Sequence, residues 1–412
     1  MRQVTLAALL ALSACSAAPV SADRDTAGPH RNPSPGATKP AMTAKPVGTP
    51  YLPEPTGGRP VGMTNLHLKD TSRSDPWVPS VKARELMVSL WFPAKKPGRT
   101  AAPYMTPKES ELLLTADGGV KGVPLDLVSR TRTNAFTDAE PAGRKHGLPL
   151  AVLSPGFTKP RATQTALAED LASRGYAVVV IGHTYENVAT SFPDGRVATC
   201  VACDSQKKDE AFWDKVAATR AADVSFVLDH LTAWKGADLI DMSRIAMAGH
   251  SAGGASAVAA MVKDRRLLAG MNIDGTAFAE VPAKGLARPF MFLGSEAVHS
   301  PGGKDPSWDA AWKRLTGWKR WITVAGTEHA SFTDVALVAE QFGLPLETRT
   351  SATRATEITR RYVAAFFDLH LRGKPQPLLD GPSAGYPEVT SHPTASGSGA
   401  GRPMDGIPSE TP

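Results

Sequence analysis

Cysteine is scarce in this chain, with 3 among 412 residues. That excludes a small scaffold stapled by several disulfides and any metal centre built from four thiolates. Beyond residue 14 there is no long unbroken apolar run, so no retained membrane-spanning helix is expected after the first few turns of chain. Basic charge is not concentrated either. The formal net charge is +6, and the basic residues come in scattered pairs such as Lys207-Lys208, Arg265-Arg266 and Arg360-Arg361. Without interleaved aromatics these read as a solvated surface, not as a nucleic-acid face. No internal repeat is present, which removes solenoids and propellers. What remains is a chain that is 42% hydrophobic, enough for one large core or two smaller ones.

The three cysteines divide into two sets. A basic start at Arg2 precedes the apolar residues 4–14, too short to be kept as a membrane span. The run ends Leu12-Ser13-Ala14-Cys15, a bacterial lipobox pattern. The expectation is a signal peptide over residues 1–15, a lipid anchor at Cys15 and an extracytoplasmic, membrane-anchored lipoprotein. The alternative is plain secretion with cleavage near Ala18 or Ala22. Losing Arg2 leaves 45 basic against 40 acidic residues, a charge of +5. The other two lie in Cys200-Val-Ala-Cys203, where a local disulfide is the default outside the cytoplasm. So short a loop adds at best about 2 kcal/mol. A zinc site would need further ligands at matching spacing, and a thioredoxin-like pair would open a helix after a strand. This pair instead follows the turn Phe192-Pro-Asp-Gly195.

Residues 16–57 are rich in Pro, Ala, Thr and Gly and read as a disordered linker, followed by a catalytic domain over 58–380 and a disordered tail over 381–412. Residues 61–69 and 85–92 read as an antiparallel pair. Residues 94–147, with a helix at 107–114, form an insertion expected to wall or cap the active site. Strands then alternate with helices: strands at 150–153, 177–181, 245–248, 270–273, 290–293 and 321–324, helices at 162–173, 208–234, 252–262 and 307–315. A last helix spans 354–371. This alternation predicts an α/β fold, a mostly parallel sheet covered on both faces, with the site at the carboxyl ends of the strands.

The stretch with the clearest chemistry is Gly249-His-Ser251-Ala-Gly253. It follows the apolar residues 245–248 and precedes a helix of small residues. Strand, Gly-x-Ser-x-Gly, helix is the nucleophile elbow, which lifts the serine hydroxyl off a strand end. A second match, Gly381-Pro-Ser383-Ala-Gly385, has no leading strand and reads as a loop. An elbow serine needs a base and an orienting acid, in the chain order Ser, Asp or Glu, His. Asp274 ends the strand at 270–273 and His329 follows the strand at 321–324. Asp241 reads as solvated, Asp305 as a helix cap, Asp309 as a first-turn residue, His250 as structural and His370 as a surface residue. His299 is the competing histidine. The oxyanion donors are expected to be the N–H groups of Ala252 and of Phe157 in Ser154-Pro-Gly-Phe157. This chemistry requires no metal or other cofactor.

Taken together, Leu153-Ser-Pro-Gly-Phe157, the run from Leu167 to Val180, Gly249-His-Ser-Ala-Gly-Gly254, Asn272-Ile-Asp-Gly275 and Gly326-Thr-Glu-His-Ala-Ser-Phe332 resemble the plasma-type (isoform II) platelet-activating factor acetylhydrolases. The likeness covers residues 60–375. It implies an α/β-hydrolase that cleaves short or oxidised acyl chains from phospholipids without calcium, using Ser251, Asp274 and His329 with Phe157 and Ala252. One departure is Ala252, where that family often carries Phe. The same residues resemble bacterial lipases and cutinase-like polyester hydrolases, which typically have Pro-Gly-Tyr for Pro155-Gly-Phe157 and lack the insertion. A third reading is a catalytically dead binding protein on an esterase fold. An intact Ser, Asp and His at the right strand ends argues against it.

Overall fold

A ten-stranded sheet runs through the domain. In chain order its strands are β1 (Val61–Asp70), β2 (Arg84–Pro93), β3 (Ala135–Phe136), β4 (Leu148–Ser154), β5 (Ala177–Gly182), β6 (Ile240–His250), β7 (Leu267–Ile273), β8 (Phe290–Ser295), β9 (Lys319–Val324) and β10 (Val389–His392). Their spatial order is β10-β9-β8-β7-β6-β4-β5-β2-β1-β3. The six central strands, β9 to β5, are parallel. β2 is antiparallel to β5 and to β1, and β10 to β9. This computed structural model describes Met42, Thr43 and residues 48–393. Cys15, the first part of the linker and the last part of the tail lie outside the described residues.

Parallel strands buried on both faces should be apolar at every position, and residues 148–153, 177–181, 245–248 and 267–271 of β4 to β7 are. Period two sorts them: Ala151, Leu153, Val178, Val180, Ala246 and Ala248 face one core. Leu150, Val152, Val179, Ile181, Ile245 and Met247 face the other. Helices α2 (Thr165–Ser173) and α7 (Ala352–Arg372) cover the first face, with Leu167, Leu171, Ile358, Val363 and Phe367 inward. Helices α3 (Glu210–His230), α4 (Ala252–Lys263) and α5 (Ser307–Arg314) cover the second, with Val224, Val227, Val258, Met261 and Trp308 inward. The long helices begin where the sequence caps them: Asp209 accepts from the Phe212 N–H and Ser351 from that of Arg354. α7 ends on left-handed Gly373 at φ 63°.

Helix α1 (Pro107–Thr115) starts in a capping box between Thr106 and Glu109. Its Leu113 and Leu114, with Tyr104, Leu127 and Val128, pack on helix α6 (Asp334–Gln341) and on Ala330, the neighbour of His329. The insertion therefore buttresses the segment that carries His329. Helix α6 had no sequence signature, because Val335 to Ala339 are all buried and give no amphipathic period.

Two boundaries are corrected. The linker does not run to 57: Leu52 is buried, the Thr56 N–H and hydroxyl donate to Asp170 Oδ1 at 2.8 and 2.6 Å, and Arg360 collects the carbonyls of Pro53 and Glu54 at 2.9 and 3.0 Å. Pro-rich composition reads as uncommitted chain, but a buried guanidinium elsewhere gives these carbonyls partners. Nor does disorder begin at 381. β10 adds an edge strand to β9, with His392 Nε2 2.8 Å from Thr323 Oγ1, and Arg354 forks onto Glu388 at 2.9 and 3.0 Å.

Candidate active site

β6 passes into α4 through Ser251, held at φ 56° and ψ −125°. That is a strained position for a residue with a Cβ. It persists because its neighbours leave no alternative. The Ser251 N–H donates to the Ile273 carbonyl at 2.8 Å. A Cβ on Gly249 would run into the Gly253 backbone, and one on Gly253 into the Ser154 carbonyl oxygen. Only glycines allow the helix to start this close to the strand. The second apparent elbow serine, Ser383, lies in a loop.

Asp274, one residue beyond β7, is also left-handed at φ 52°. The turn is fastened by Asn272, whose amide accepts from the Gly275 N–H at 2.9 Å and donates to the Gly275 carbonyl at 2.8 Å. Trp308 Nε1 donates to the same carbonyl at 2.7 Å. The Asp274 carboxyl is 2% exposed. Its Oδ1 accepts the Ser295 N–H at 2.6 Å and its Oδ2 lies 2.6 Å from His329 Nδ1. Burial alone would raise its pKa. The His329 hydrogen bond, the nearby His299 and the Ser295 N–H outweigh that and hold it below the usual carboxylate range.

His329 opens a 3₁₀ turn, His329–Phe332, after β9. Glu328 and Ser331 cap that turn reciprocally, and Thr327 Oγ1 donates back to the Val324 carbonyl at 2.8 Å. Its side chain is 29% exposed, whereas Asp274 is buried behind it. The pair thus has one wet end and one dry end, as an imidazole oriented by a carboxylate requires.

The other histidines take distinct places. His250 Nε2 lies 2.7 Å from the His329 carbonyl oxygen, which fixes the Nε2–H tautomer. Burial and the neighbouring His329 push its pKa down to about 3, so the ring is neutral and ties the elbow to the His329 loop. His250, Asp274 and His329 offer ligand atoms within 4.8 Å of one another. The His250 proton and the Asp274–His329 hydrogen bond already engage them. His299, the competing candidate, is buried and stacked on Trp308 at 4.1 Å, with Nε2 3.5 Å from Asp274 Oδ1. It approaches the acid, and His329 bonds to it. His370, read as a surface residue, is half-buried: it packs edge-on against Trp318 and Phe366, and burial lowers its pKa to about 4.

Across the cleft, β4 ends in Ser154-Pro-Gly-Phe157. A Cβ on Gly156 would lie 3.3 Å from the Ser251 Cβ, so the loop passes directly beside the elbow. Among the described residues neither the Phe157 nor the Ala252 N–H donates to a protein acceptor. The Phe157 and Ala252 side chains share an apolar cluster with Ala202, Phe212, Val216, Trp77, Trp213 and Phe278. Phe157 meets Phe212 and Trp213 edge-on at 5.7 and 5.5 Å, and Trp213 meets Phe278 at 5.1 Å. Cys200 and Cys203 are bonded to each other and pack on this cluster. The aromatic wall was not legible in the sequence: Trp77, Phe157, Trp213 and Phe278 come from four separate segments. Ser295 and Trp308, which brace Asp274 and its turn, were missed for the same reason; Asn272 stands in the Asn272-Ile-Asp-Gly275 run, but its part in fastening the turn was not legible there.

Three comparisons agree with this geometry. Residues 214–376 match the model of the family described as platelet-activating factor acetylhydrolase, isoform II. The chain is 31% identical over 368 residues to the "Probable 1-alkyl-2-acetylglycerophosphocholine esterase" of Arthroderma benhamiae, covering 82% of this chain and 92% of that one. It is 23% identical to the platelet-activating factor acetylhydrolase of Bos taurus, over 80% of this chain and 79% of that one. A solved ferulic acid esterase from Streptomyces cinnamoneus superposes with a TM-score of 0.75 at 45% identity, covering 84% of this chain and 99% of that one. An elbow serine on a mostly parallel sheet, an Asp–His pair on the same rim and these relatives converge: the chain belongs to the isoform II platelet-activating factor acetylhydrolase family of α/β-hydrolases and is a carboxylic ester hydrolase.

Proposed function

We propose that Ser251 is the nucleophile, His329 the base and Asp274 the acid that orients it, in two-step acyl transfer to water. The observation that carries this is the 2.6 Å contact between His329 Nδ1 and the buried Asp274 carboxylate, on the rim where the strained Ser251 stands. His329 takes the Ser251 proton as the hydroxyl attacks the ester carbonyl. The imidazolium is stabilised by Asp274 and then protonates the leaving alcohol; a water repeats the sequence on the acyl-enzyme. The Phe157 and Ala252 N–H groups receive the tetrahedral oxyanion, each contributing about 3 kcal/mol.

The substrate is an ester with a compact acyl group. Membership of the acetylhydrolase family favours short acyl chains on a lipid-like alcohol. The wall of Phe157, Phe212, Trp213 and Phe278 supports a second reading, a planar aromatic acyl group such as that of the ferulic acid named for the Streptomyces relative. A panel of p-nitrophenyl esters from C2 to C16, a short-acyl phospholipid, methyl ferulate and a polyester tests both. A maximum at C4–C6, or at ferulate, fits a compact pocket; a maximum at C12 or beyond means an open lipase cleft and refutes it. Trp213→Ala should weaken ferulate more than butyrate if the aromatic reading holds.

The lipobox at Leu12-Ser-Ala-Cys15 supports anchoring of this enzyme outside the cytoplasm by lipid on Cys15. The Cys200–Cys203 disulfide suits an oxidising compartment. Cys15→Ser should release the protein from membranes. A wild-type protein that is already soluble, with its N-terminus beyond Cys15, would contradict anchoring.

A further inference from the structure

Behind the Phe157 loop lies a second serine–histidine–aspartate arrangement, which no substrate can reach. Ser154 Oγ is 2.9 Å from His183 Nε2, and His183 Nδ1 is 2.8 Å from Asp223 Oδ2. The three residues are 0%, 1% and 0% exposed. Burial and the Arg220 charge hold the His183 pKa below its usual range against the pull of Asp223, so the ring is neutral. Nδ1–H then donates to Asp223 and Nε2 accepts the Ser154 hydroxyl. The Ser154 oxygen remains an acceptor for Arg220 Nη1 at 3.3 Å.

Arg220 is the centre of this assembly. It is buried, donates through Nε to Glu186 Oε2 at 2.8 Å and through Nη1 to the Pro155 carbonyl at 2.5 Å. Trp77 Nε1 holds the other Glu186 oxygen at 3.0 Å. Residues 156–159 form a tight turn: the Lys159 N–H donates to the Gly156 carbonyl at 3.1 Å, with Thr158 at φ 69°. The residue before the turn is held by the Arg220 side chain. Within the turn, the Thr158 N–H is held by the Glu186 main-chain carbonyl at 2.8 Å. A trans peptide points the Phe157 N–H opposite to the Gly156 carbonyl, so fixing this turn fixes the donor.

A well-packed apolar core is commonly as stable as a buried ion network. What apolar packing would not supply is direction. We propose that Arg220 is a positioning residue for ester hydrolysis: with Glu186 it clamps the turn at Gly156–Phe157 from both sides and presets the Phe157 N–H towards the oxyanion. The inference rests on the reading of Phe157 as an oxyanion donor.

The test compares matched oxo- and thiono-esters, since a thiocarbonyl sulfur is a poor acceptor and gains little from oxyanion donors. Arg220→Lys keeps the charge beside Glu186 but lacks the fork that reaches both Glu186 and Pro155. Its kcat on the oxo-ester should fall about 10–100-fold, with KM within about twofold and little loss on the thiono-ester. An equal loss on both esters, or an unchanged ratio, overturns the proposal. Should Arg220→Lys fail to fold by circular dichroism, Ser154→Ala decides. It removes the Arg220 acceptor at 3.3 Å and the hydroxyl bound to His183, and leaves the Arg220 side chain itself intact: a reduced oxo/thiono ratio supports the clamp and a wild-type ratio refutes it. A wild-type enzyme with no oxo-ester preference gives a different signature and overturns the donor reading itself.

Discussion

Replacing Asp274 by asparagine changes one atom and should disable the base. The carboxylate has two fixed contacts: Oδ1 accepts the Ser295 N–H and Oδ2 faces His329 Nδ1, each at 2.6 Å. In the variant the amide oxygen stays on the Ser295 N–H. Its NH₂ then points at His329 Nδ1, which becomes the acceptor, and the proton moves to Nε2, where the base should be free. Flipping the amide restores the tautomer but sets two donors face to face at Ser295, costing about 2 kcal/mol, or about 30-fold. The flipped form also lacks the charge that stabilises the imidazolium, worth about 2–3 kcal/mol, a further 30–150-fold. The product is a loss of roughly 10³–10⁴ in kcat, the range expected when an orienting aspartate is neutralised. The assay is kcat and KM on p-nitrophenyl butyrate, with thermal unfolding to confirm the fold. An Asp274→Asn enzyme within tenfold of wild type would refute this account of the acid.

Other perturbations read different parts of the molecule. Burial pushes the Asp334 carboxyl up to about 8, against the Ala166 N–H and the Arg360 charge. An unfolded aspartate ionises near 3.9, so between about pH 4 and 8 the unfolded chain has lost a proton that the folded one keeps. This group therefore makes stability fall as pH rises, by at most about 1.4 kcal/mol per unit. Asp334→Asn should gain stability relative to wild type between pH 5 and 8 in urea unfolding; an equal difference at both pH values would argue against a buried neutral acid. Ala252→Phe should fill space beside Phe157 and move the best p-nitrophenyl ester towards acetate, since each excluded CH₂ forfeits about 0.8 kcal/mol. An unchanged chain-length profile would mean that Ala252 does not border the acyl group. Reducing the Cys200–Cys203 bond should cost at most about 2 kcal/mol of stability and raise KM several-fold, because both cysteines pack on the Phe157 cluster; a kcat loss at constant KM would contradict a wall role.

The central strands and the elbow were legible because their physics is local. An unbroken apolar run means a strand buried on both faces, and a Gly-x-Ser-x-Gly turn is dictated by contacts within a few residues. Asp274 and His329 could be named because each directly follows such a run. The ends of the domain were not legible, since residues 48–57 and 381–392 are ordered by partners far away in sequence, Arg360 with Asp170 and β9 with Arg354. Helix α6 was hidden by being buried all round. The network behind Phe157 joins Ser154, His183, Glu186, Arg220 and Asp223, charged and polar residues that pattern alone would put on the surface.

The most direct test of the central claim is covalent labelling. A fluorophosphonate reacts with a serine only when a base activates it and donors receive the phosphoryl oxygen. Incubation with the probe, intact-mass measurement and peptide mapping should show one adduct, on Ser251, formed rapidly in wild type and absent from Ser251→Ala. It should form slowly in Asp274→Asn. An adduct on another serine, or none on a folded wild-type protein, would contradict the assignment of Ser251 as the nucleophile.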